Sequence, residues 1–433
     1  MYITSIHICN FRNYRRLDVS VEPSINVLYG ENAQGKTNLI EALYLCACAR
    51  SHRTAKDREL ILHGESQYTV EIVLAPHGDT SRNKGDRAGV PSLSSNDRKS
   101  PSHTNYEETI TLTYQDASDG VSGPIKPKRI AYQDHVPFEK ISDFLGLFHA
   151  VIFAPEDLLL IKDGPSVRRR YLDLLISQVR PRYFHDLSTY SRLLQQKNKT
   201  IKNLRQRKSL HTLTEAEISE LEIWDYPLAE AAAGILVERI LFIERIRRIA
   251  GEKHEQISGG KEHLFVRYRT VPGLLTDEIQ TDPSGERTVI RDFLLSRWKS
   301  SEQDDYEKGS VTYGPHRDDL ELSLDGDGLR AFASQGQQRS AALALKLSEL
   351  KILREETGEN PVLLLDDVFS ELDASRRACL LRNIEDAQVF ITCTDRTFIE
   401  KELTEVDTDT ADGNGKPWNI TFFRVEDGAV YRK

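Results

Sequence analysis

The sequence predicts an α/β fold joined to a largely helical second lobe, and three observations carry that prediction. An apolar run, INVLY (25–29), leads into a glycine-flanked loop and then into the helical pattern TNLIEALYLCA. A second apolar run, PVLLL (361–365), ends in two aspartates and is followed by a helix and a strand, ASRRACLLRNIED and QVFITC. Between these blocks, YLDLLISQ, YSRLLQQKNKTIKNL and WDYPLAEAAAGILVERILFIERIRRI repeat apolar residues at three- and four-residue spacing, as amphipathic helices do.

The remaining elements follow in order. Residues 2–9 alternate as a strand, and alternation returns at YTVEIVLA (68–75) and ETITLTY (108–114). Residues 77–105 are rich in Ser, Gly, Asn, Asp, Pro and charge. Their apolar content is too low to offset the entropy of ordering, so a disordered surface insertion is expected. Residues 138–148 and 156–256 read as mostly helical, without the sustained heptads of a long coiled-coil arm. A strand (HLFVRYRT) and a helix (VIRDFLLSRW) come next, and NITFFRVEDGAVYRK closes the chain as a hairpin turning at Asp427-Gly428. TEVDTDTADGNGKPW (404–418) is expected to be a mobile loop. The predicted division is an α/β domain from 1–135 and 310–433, interrupted by a helical lobe at 136–309.

The first loop carries the chemistry. GENAQGKT (30–37) matches G-x-x-x-x-G-K-[ST] in its required setting, after a strand and before a helix. Gly30 and Gly35 let backbone amides of the Glu31, Asn32, Ala33 and Gln34 segment face the phosphates of ATP, beside a helix N-terminus. Lys36 would reach the β and γ phosphates, and the Thr37 hydroxyl would ligate Mg²⁺. Such a loop needs a carboxylate from a neighbouring buried strand. Asp366 is the expected metal-side residue, and Asp367 the base that polarises the attacking water.

ASQGQQRS (333–340) stands about twenty residues ahead of that strand, as the signature segment does in ABC-type ATPases. Ser334, Gly336 and Gln337 would offer donors to a γ-phosphate from a helix start. The geometry of that class sets this segment against the phosphate loop of a facing subunit. An ATP-dependent homodimer is therefore expected, with SELD (370–373) crossing its interface.

Charge and composition add partners and exclusions. The net charge of −9 argues against a uniformly basic polyanion binder, yet from Lys162 to Lys208 13 Lys or Arg stand against 3 Asp. Arg168, Arg169, Arg170, Lys197, Lys199, Lys202 and Arg205 are the candidate DNA contacts. The alternatives are a solvated helix face or, for the arginine triplet, a brace for the nucleotide lobe. No run of about 18 apolar residues offers a membrane span, and the N-terminus lacks the core of a signal peptide. Cys46 and Cys48 are too close for the usual zinc pair. The five cysteines read as free thiols in a reducing cytoplasm.

NFRNY (10–14), GENAQGKTNLIEALYL, SHRTAKDRELI (51–61), FAPEDLLLIKDGPSVRRRYLD (153–173), TYGPHRDDLEL (312–322), FASQGQQRSAALALKLSEL and LLLDDVFSELD occur in this order up to about residue 395. Together they resemble the RecF family of bacterial recombination mediators. The resemblance implies a P-loop ABC/SMC-type ATPase head without long arms. It also implies ATP-dependent dimerisation on double-stranded or gapped DNA, weak DNA-stimulated hydrolysis, and work with RecR and RecO to place RecA at single-strand gaps. By position it puts Asn32 and Arg12 near the phosphates, Ser334 in the signature, and Asp366 and Asp367 at the metal and the water. Thr394 replaces the switch histidine of transporters, and Glu156 in APED stands in for their Gln loop.

An ATPase subunit of an SMC-like or OLD-type nuclease or defence system is the alternative. It wants further acidic metal clusters, and only about 40 residues follow Thr394. A transporter ATPase would need the missing glutamine and histidine. His316-Arg317-Asp318 mimics a kinase catalytic loop, but no G-x-G-x-x-G or D-F-G accompanies it, so a structural or interface role is expected.

Overall fold

The continuous apolar runs belong to strands buried on both faces, as parallel sheets require. The computed structural model describes residues 1–54, 56–76, 107–120, 123–125, 127–207, 211–274, 283–384, 387–409 and 419–433. In it, β1 (Tyr2–Phe11) and β2 (Tyr14–Ser20) form a hairpin, and β3 (Ile25–Tyr29) and α1 (Lys36–Cys48) flank the glycine loop. There follow β4 (Gln67–Ala75), β5 (Glu108–Gln115), β6 (Lys128–Gln133) and β7 (Ala150–Phe153). The helices α2 (Pro165–Val179), α3 (Pro181–Arg207) and α4 (Asp225–Ser258) lead to β8 (Leu264–Arg269), α5 (Pro283–Lys308) and β9 (Asp319–Leu324). The last third holds α6 (Gln335–Thr357), β10 (Val362–Asp366), α7 (Ala374–Leu381) and β11 (Val389–Cys393). It ends with α8 (Arg396–Asp409), β12 (Ile420–Glu426) and β13 (Ala429–Arg432).

Among the described residues two large sheets dominate. One runs β7-β10-β11-β3-β12-β13, parallel except for the last hairpin. The other is antiparallel, in the order β2-β1-β4-β5-β6 with Val136–Pro137 at its edge. Alternate residues of the parallel strands serve two cores. Val27, Val151, Leu363, Leu365, Val389 and Ile391 pack with α2, α4 and α6. Leu28, Ile152, Leu364, Phe390 and Phe423 pack with α1 and the antiparallel sheet. Each such buried side chain contributes roughly 1.5–3 kcal/mol.

Three expectations need correction. The boundary at 136 cuts across the parallel sheet, because Ala150–Phe153 pair in register with Val362–Leu365. Four apolar residues carry too little pattern to be told from a helix. β2 was not expected either, since YRRLDVS buries only Tyr14, Leu17 and little else. Residues 404–409, expected in a mobile loop, continue α8, and the rest of that loop lies outside the described residues, as does the insertion expected at 77–105. The closing hairpin agrees with the sequence, and among the described residues the longest helix, α4, packs against α3, α5 and α6 and does not extend as a coiled-coil arm.

Of His316-Arg317-Asp318, Asp318 sits at the centre of a buried polar cage and Arg317 is exposed. Arg239 donates to Asp318 Oδ2 at 2.8 Å, Asp173 Oδ1 at 2.8 Å, the Tyr183 hydroxyl at 2.9 Å and the Pro315 carbonyl at 2.7 Å. Asp318 also accepts from Tyr268 and from Thr270 Oγ1 at 2.8 Å. Next to it, His316 Nε2 faces the Val311 carbonyl at 3.1 Å, an acceptor only, so this nitrogen carries the proton and Nδ1 accepts from the Tyr190 hydroxyl at 2.6 Å.

Burial holds the His316 imidazole down to about 4, with Arg317, Arg169 and Arg239 acting in the same direction. The unfolded chain, titrating near 6.5, then binds more protons between those values. The stability of the neutral ring is therefore complete above about pH 6.5 and is lost as pH falls towards 4, by up to about 1.4 kcal/mol per unit. Denaturant unfolding at pH 7 and pH 4.5 should show His316→Gln losing less stability than the parent chain. Equal losses would remove His316 as the cause.

Candidate functional site

The cleft beside the glycine loop is assembled where three parallel strands end. β3 delivers the glycine loop and β10 delivers Asp366, and β11 lies between them with Thr392 paired to both Leu28 and Asp366. The Asp366 carboxylate is buried at 3% exposure and accepts from Thr37 Oγ1 at 2.9 Å and Thr392 Oγ1 at 2.7 Å. Burial raises its pKa against those two hydroxyl bonds, and the nearby Glu156 charge adds to the rise. Asp367 turns the other way. Its backbone is left-handed (φ +50°), its N–H is held by Thr392 Oγ1 at 2.8 Å, and its side chain is exposed at the cleft.

Contacts from the far end of the chain shape the loop itself. Gly30 has φ +155°, and a Cβ there would stand 2.3 Å from the Val425 carbonyl oxygen on β12. Gly35, at φ +114°, would set a Cβ 2.6 Å from Asn13 Nδ2. Gln34 accepts the Asp427 N–H through Oε1 at 2.6 Å, so the closing hairpin buttresses the loop. Lys36 folds over it, donating to the carbonyls of Gly30 and Glu31 at 2.7 Å each, and burial lowers its pKa. Asn32, Ala33, Gly35, Lys36, Thr37, Asn38, Arg53, Asp366, Asp367, Thr392 and Thr394 line an open cleft of about 680 Å³.

The donor set fits a hard divalent cation. Thr37 Oγ1 and Asp366 Oδ1 lie 2.9 Å apart and would offer two oxygens, the small protein share that Mg²⁺ takes when phosphates and waters complete its shell. Among the described residues no cluster of three or more His, Cys, Asp or Glu side chains forms another metal centre.

Comparison with known proteins agrees with this geometry. The family model described as the RecF/RecN/SMC N-terminal domain matches residues 2–413. The DNA replication and repair protein RecF of Acetivibrio thermocellus is 39% identical over 432 residues, covering 100% of both chains. The chain belongs to the RecF family. The RecF protein of Listeria monocytogenes is 38% identical, covering 99% of each chain. Among solved structures, the recombination mediator protein RecF–ATPrS in the RecFOR pathway superposes with a TM-score of 0.76 at 33% identity, covering 100% of this chain and 98% of that one. The RecF–ATP structure gives the same TM-score at 32% identity, covering 100% and 97%. The fold is that of an ABC/SMC-type ATPase head.

Within this family fold, several sequence-predicted residues fall elsewhere. Arg12, expected at the phosphates, forks onto Glu41 (Nε–Oε2 2.9 Å, Nη2–Oε1 2.8 Å) and the Glu59 carbonyl, and it does not line the cleft. Although burial opposes it, bonds from Arg12 and Ser51 hold the Glu41 carboxyl below its usual range. The arginine that does line the cleft, with Lys36, is Arg53, 3.2 Å from Asn38 Oδ1 and 3.5 Å from Glu41 Oε2. SHRTAKD contained it, but a single arginine in a polar segment has no local signal. Glu156 is exposed in a short turn beside the cleft and does not line it.

The basic segment divides. Arg168 is buried and paired bidentately with Asp319, Arg169 donates to the Asp318 carbonyl at 2.7 Å, and Arg170 donates to the Ser51 and Thr54 carbonyls. The triplet thus braces α2 against β9 and the 51–54 loop. Lys197 is 1% exposed, paired with Asp225 and set 5.3 Å from the Trp298 ring centre. Arg168 and Lys197 therefore offer no open surface to a polyanion, while Arg169 and Arg170 are half-buried and engaged with backbone carbonyls. Lys199, Lys202 and Arg205 are exposed on α3.

Ser334 caps α6. Its Oγ accepts the Gln337 N–H at 3.3 Å while Gln337 Oε1 accepts the Ser334 N–H at 2.7 Å, and Gln337 Nε2 reaches Glu262 at 2.9 Å. Ser334 and Gln335 are exposed, and Phe332 beside them is 75% exposed. Ser334, Gly336 and Gln337 do not line the cleft of their own chain.

No helix among the described residues is long and apolar enough to cross a membrane. All five cysteines are free, and all but Cys9 are buried.

Proposed function

We propose that this chain is an ATP-dependent DNA-binding switch of recombinational repair, whose ATP-bound homodimer forms on double-stranded or gapped DNA. The observation that carries the reading is the separation of two half-sites. One chain presents a phosphate loop with Asp366 and Asp367, and on a different surface presents the exposed, capped helix start at Ser334. Relatives solved with ATP and ATPrS support nucleotide binding at the loop.

In this reading Lys36 and the loop amides bind the β and γ phosphates, and Ser334 and the Gly336 amide of a second copy close over the γ-phosphate. Thr37 and Asp366 would hold Mg²⁺, which when bound would supply charge neutralisation of the phosphates. Asp367 takes a proton from water as its oxygen bonds to the γ-phosphorus and the bond to the ADP oxygen breaks. Hydrolysis is slow and resets the dimer. RecR and RecO are the partners with which the bound state directs RecA to gaps, as the family membership suggests. Lys199, Lys202 and Arg205 supply part of the DNA contact.

Binding to duplex, gapped and single-stranded DNA, measured with Mg-ATP or Mg-ADP at two salt concentrations, tests the switch. Tight, salt-sensitive binding to duplex or gapped DNA only with ATP is expected. Binding indifferent to nucleotide would break the link between the two activities. Lys36→Arg should keep ATP binding and slow hydrolysis. Ser334→Arg should block the ATP-induced dimer, and a variant that still dimerised on light scattering would end the shared-site argument.

A further inference from the structure

Two arginines, Arg376 and Arg339, join the half-sites that one chain presents, and Arg376 makes the contact to the signature turn itself. Arg376, on the first turn of α7, reaches across to the first turn of α6. Its Nη2 donates to the Gly336 carbonyl at 2.8 Å and its Nε to Ser340 Oγ at 2.9 Å, while Nη1 pairs with Asp373. Asp373 in turn caps α7 by accepting the Arg376 N–H at 2.9 Å. A parallel strut runs alongside, where Arg339 of α6 pairs with Glu371. Glu371 and Asp373 belong to SELD, whose Ser370 Oγ donates to the Asp367 carbonyl at 2.8 Å. A continuous set of bonds therefore leads from the base, through SELD and Arg376, to the turn that carries Ser334 and Gly336.

We propose that Arg376 is a positioning residue that sets the signature turn offered to a second copy according to the state of the chain's own nucleotide site. The inference rests on the shared-site reading above. Its physical basis is that a planar fork with three acceptors in fixed places transmits a rigid displacement, where a single flexible contact would not. Movement of the SELD loop around Asp367 carries Asp373 and the guanidinium, and the Gly336 carbonyl follows. The start of α6 is also tied by its own capping box, by the Gln337–Glu262 bond, by Gln338 Nε2 to the Leu329 and Ala333 carbonyls and by the Arg339–Glu371 pair, and Arg376 is the tie that takes the Gly336 carbonyl. Positive cooperativity between the two composite sites follows, because each site's loop adjusts the donor it lends to the other.

The test uses the full chain, with Arg376→Ala, Arg376→Lys and Lys36→Arg. Arg376→Ala is expected to bind fluorescent ATP as a monomer within about twofold of the parent, yet to dimerise with Mg-ATP at least about tenfold more weakly, with a Hill coefficient for hydrolysis near 1. Arg376→Lys, which keeps the charge but not the fork, should fall between the two, and it carries the test if the alanine variant does not fold by circular dichroism. Mixing Arg376→Ala with Lys36→Arg supplies the sharper readout. One composite site of the mixed dimer then joins an intact phosphate loop to an intact signature turn. Turnover above either variant alone supports action on the partner's site, and no gain assigns Arg376 to its own site and overturns the proposal. A parent chain that dimerises cooperatively while Arg376→Ala matches it also overturns the proposal, leaving the shared-site reading in place. A parent chain that never dimerises with Mg-ATP removes both.

Discussion

Asp367→Asn is expected to slow ATP hydrolysis by about 10²–10⁴-fold, the usual worth of a positioned general base, while ATP binding changes little. The two adjacent aspartates are not equivalent. Asp366 is buried and accepts from Thr37 and Thr392 through the same oxygen, Oδ1, an arrangement that holds that oxygen still. Asp367 has its backbone fixed by Thr392 and its carboxylate free at the cleft, where a water could be polarised. Single-turnover hydrolysis and fluorescent-ATP titration separate the two effects. The asparagine variant should accumulate as the ATP-bound dimer, and turnover within threefold of the parent would pass the base role to another group.

Arg239→Ala should cost about 3–5 kcal/mol of stability, the range found when one partner is removed from a buried ion pair. The side chain is 2% exposed and donates to two carboxylates, a phenol and a carbonyl drawn from α2, α3 and the 315–318 turn. Its loss leaves Asp318 buried, where desolvation already raises the carboxyl above its usual range. Arg239→Met with Asp318→Asn removes both charges and should cost less than the single alanine substitution. Denaturant unfolding followed by far-ultraviolet circular dichroism checks both. A loss below 1 kcal/mol for Arg239→Ala would mean that the cage is not a keystone of the helical region.

The motifs legible in the sequence were those whose chemistry is local. GENAQGKT, LLLDD and ASQGQQRS each occupy a few consecutive residues at the end of a strand or the start of a helix, and the structure puts the first two in one cleft. Long helical patterns were legible for the same reason, since burial of one face repeats along the chain. The four-residue strand Ala150–Phe153 was not, because its apolar run has no period of its own and gains meaning only beside Val362–Leu365.

The sequence by itself determined that this chain carries a phosphate-loop motif between a strand and a helix, and which family it belongs to, because contiguous backbone conformation and a few neighbouring side chains suffice for that loop. Only the tertiary structure decided which cations remain available. Lys197 reads as a surface charge, and Arg168 as either a DNA contact or a brace, until Asp225 and Asp319, 28 and 151 residues away, are seen to take them into the interior. It also decided that Arg53, and not Arg12, lines the cleft, through the hold of Glu41 on Arg12. Whether a charge faces solvent depends on a distant partner that offsets its desolvation, and no local pattern records that partner.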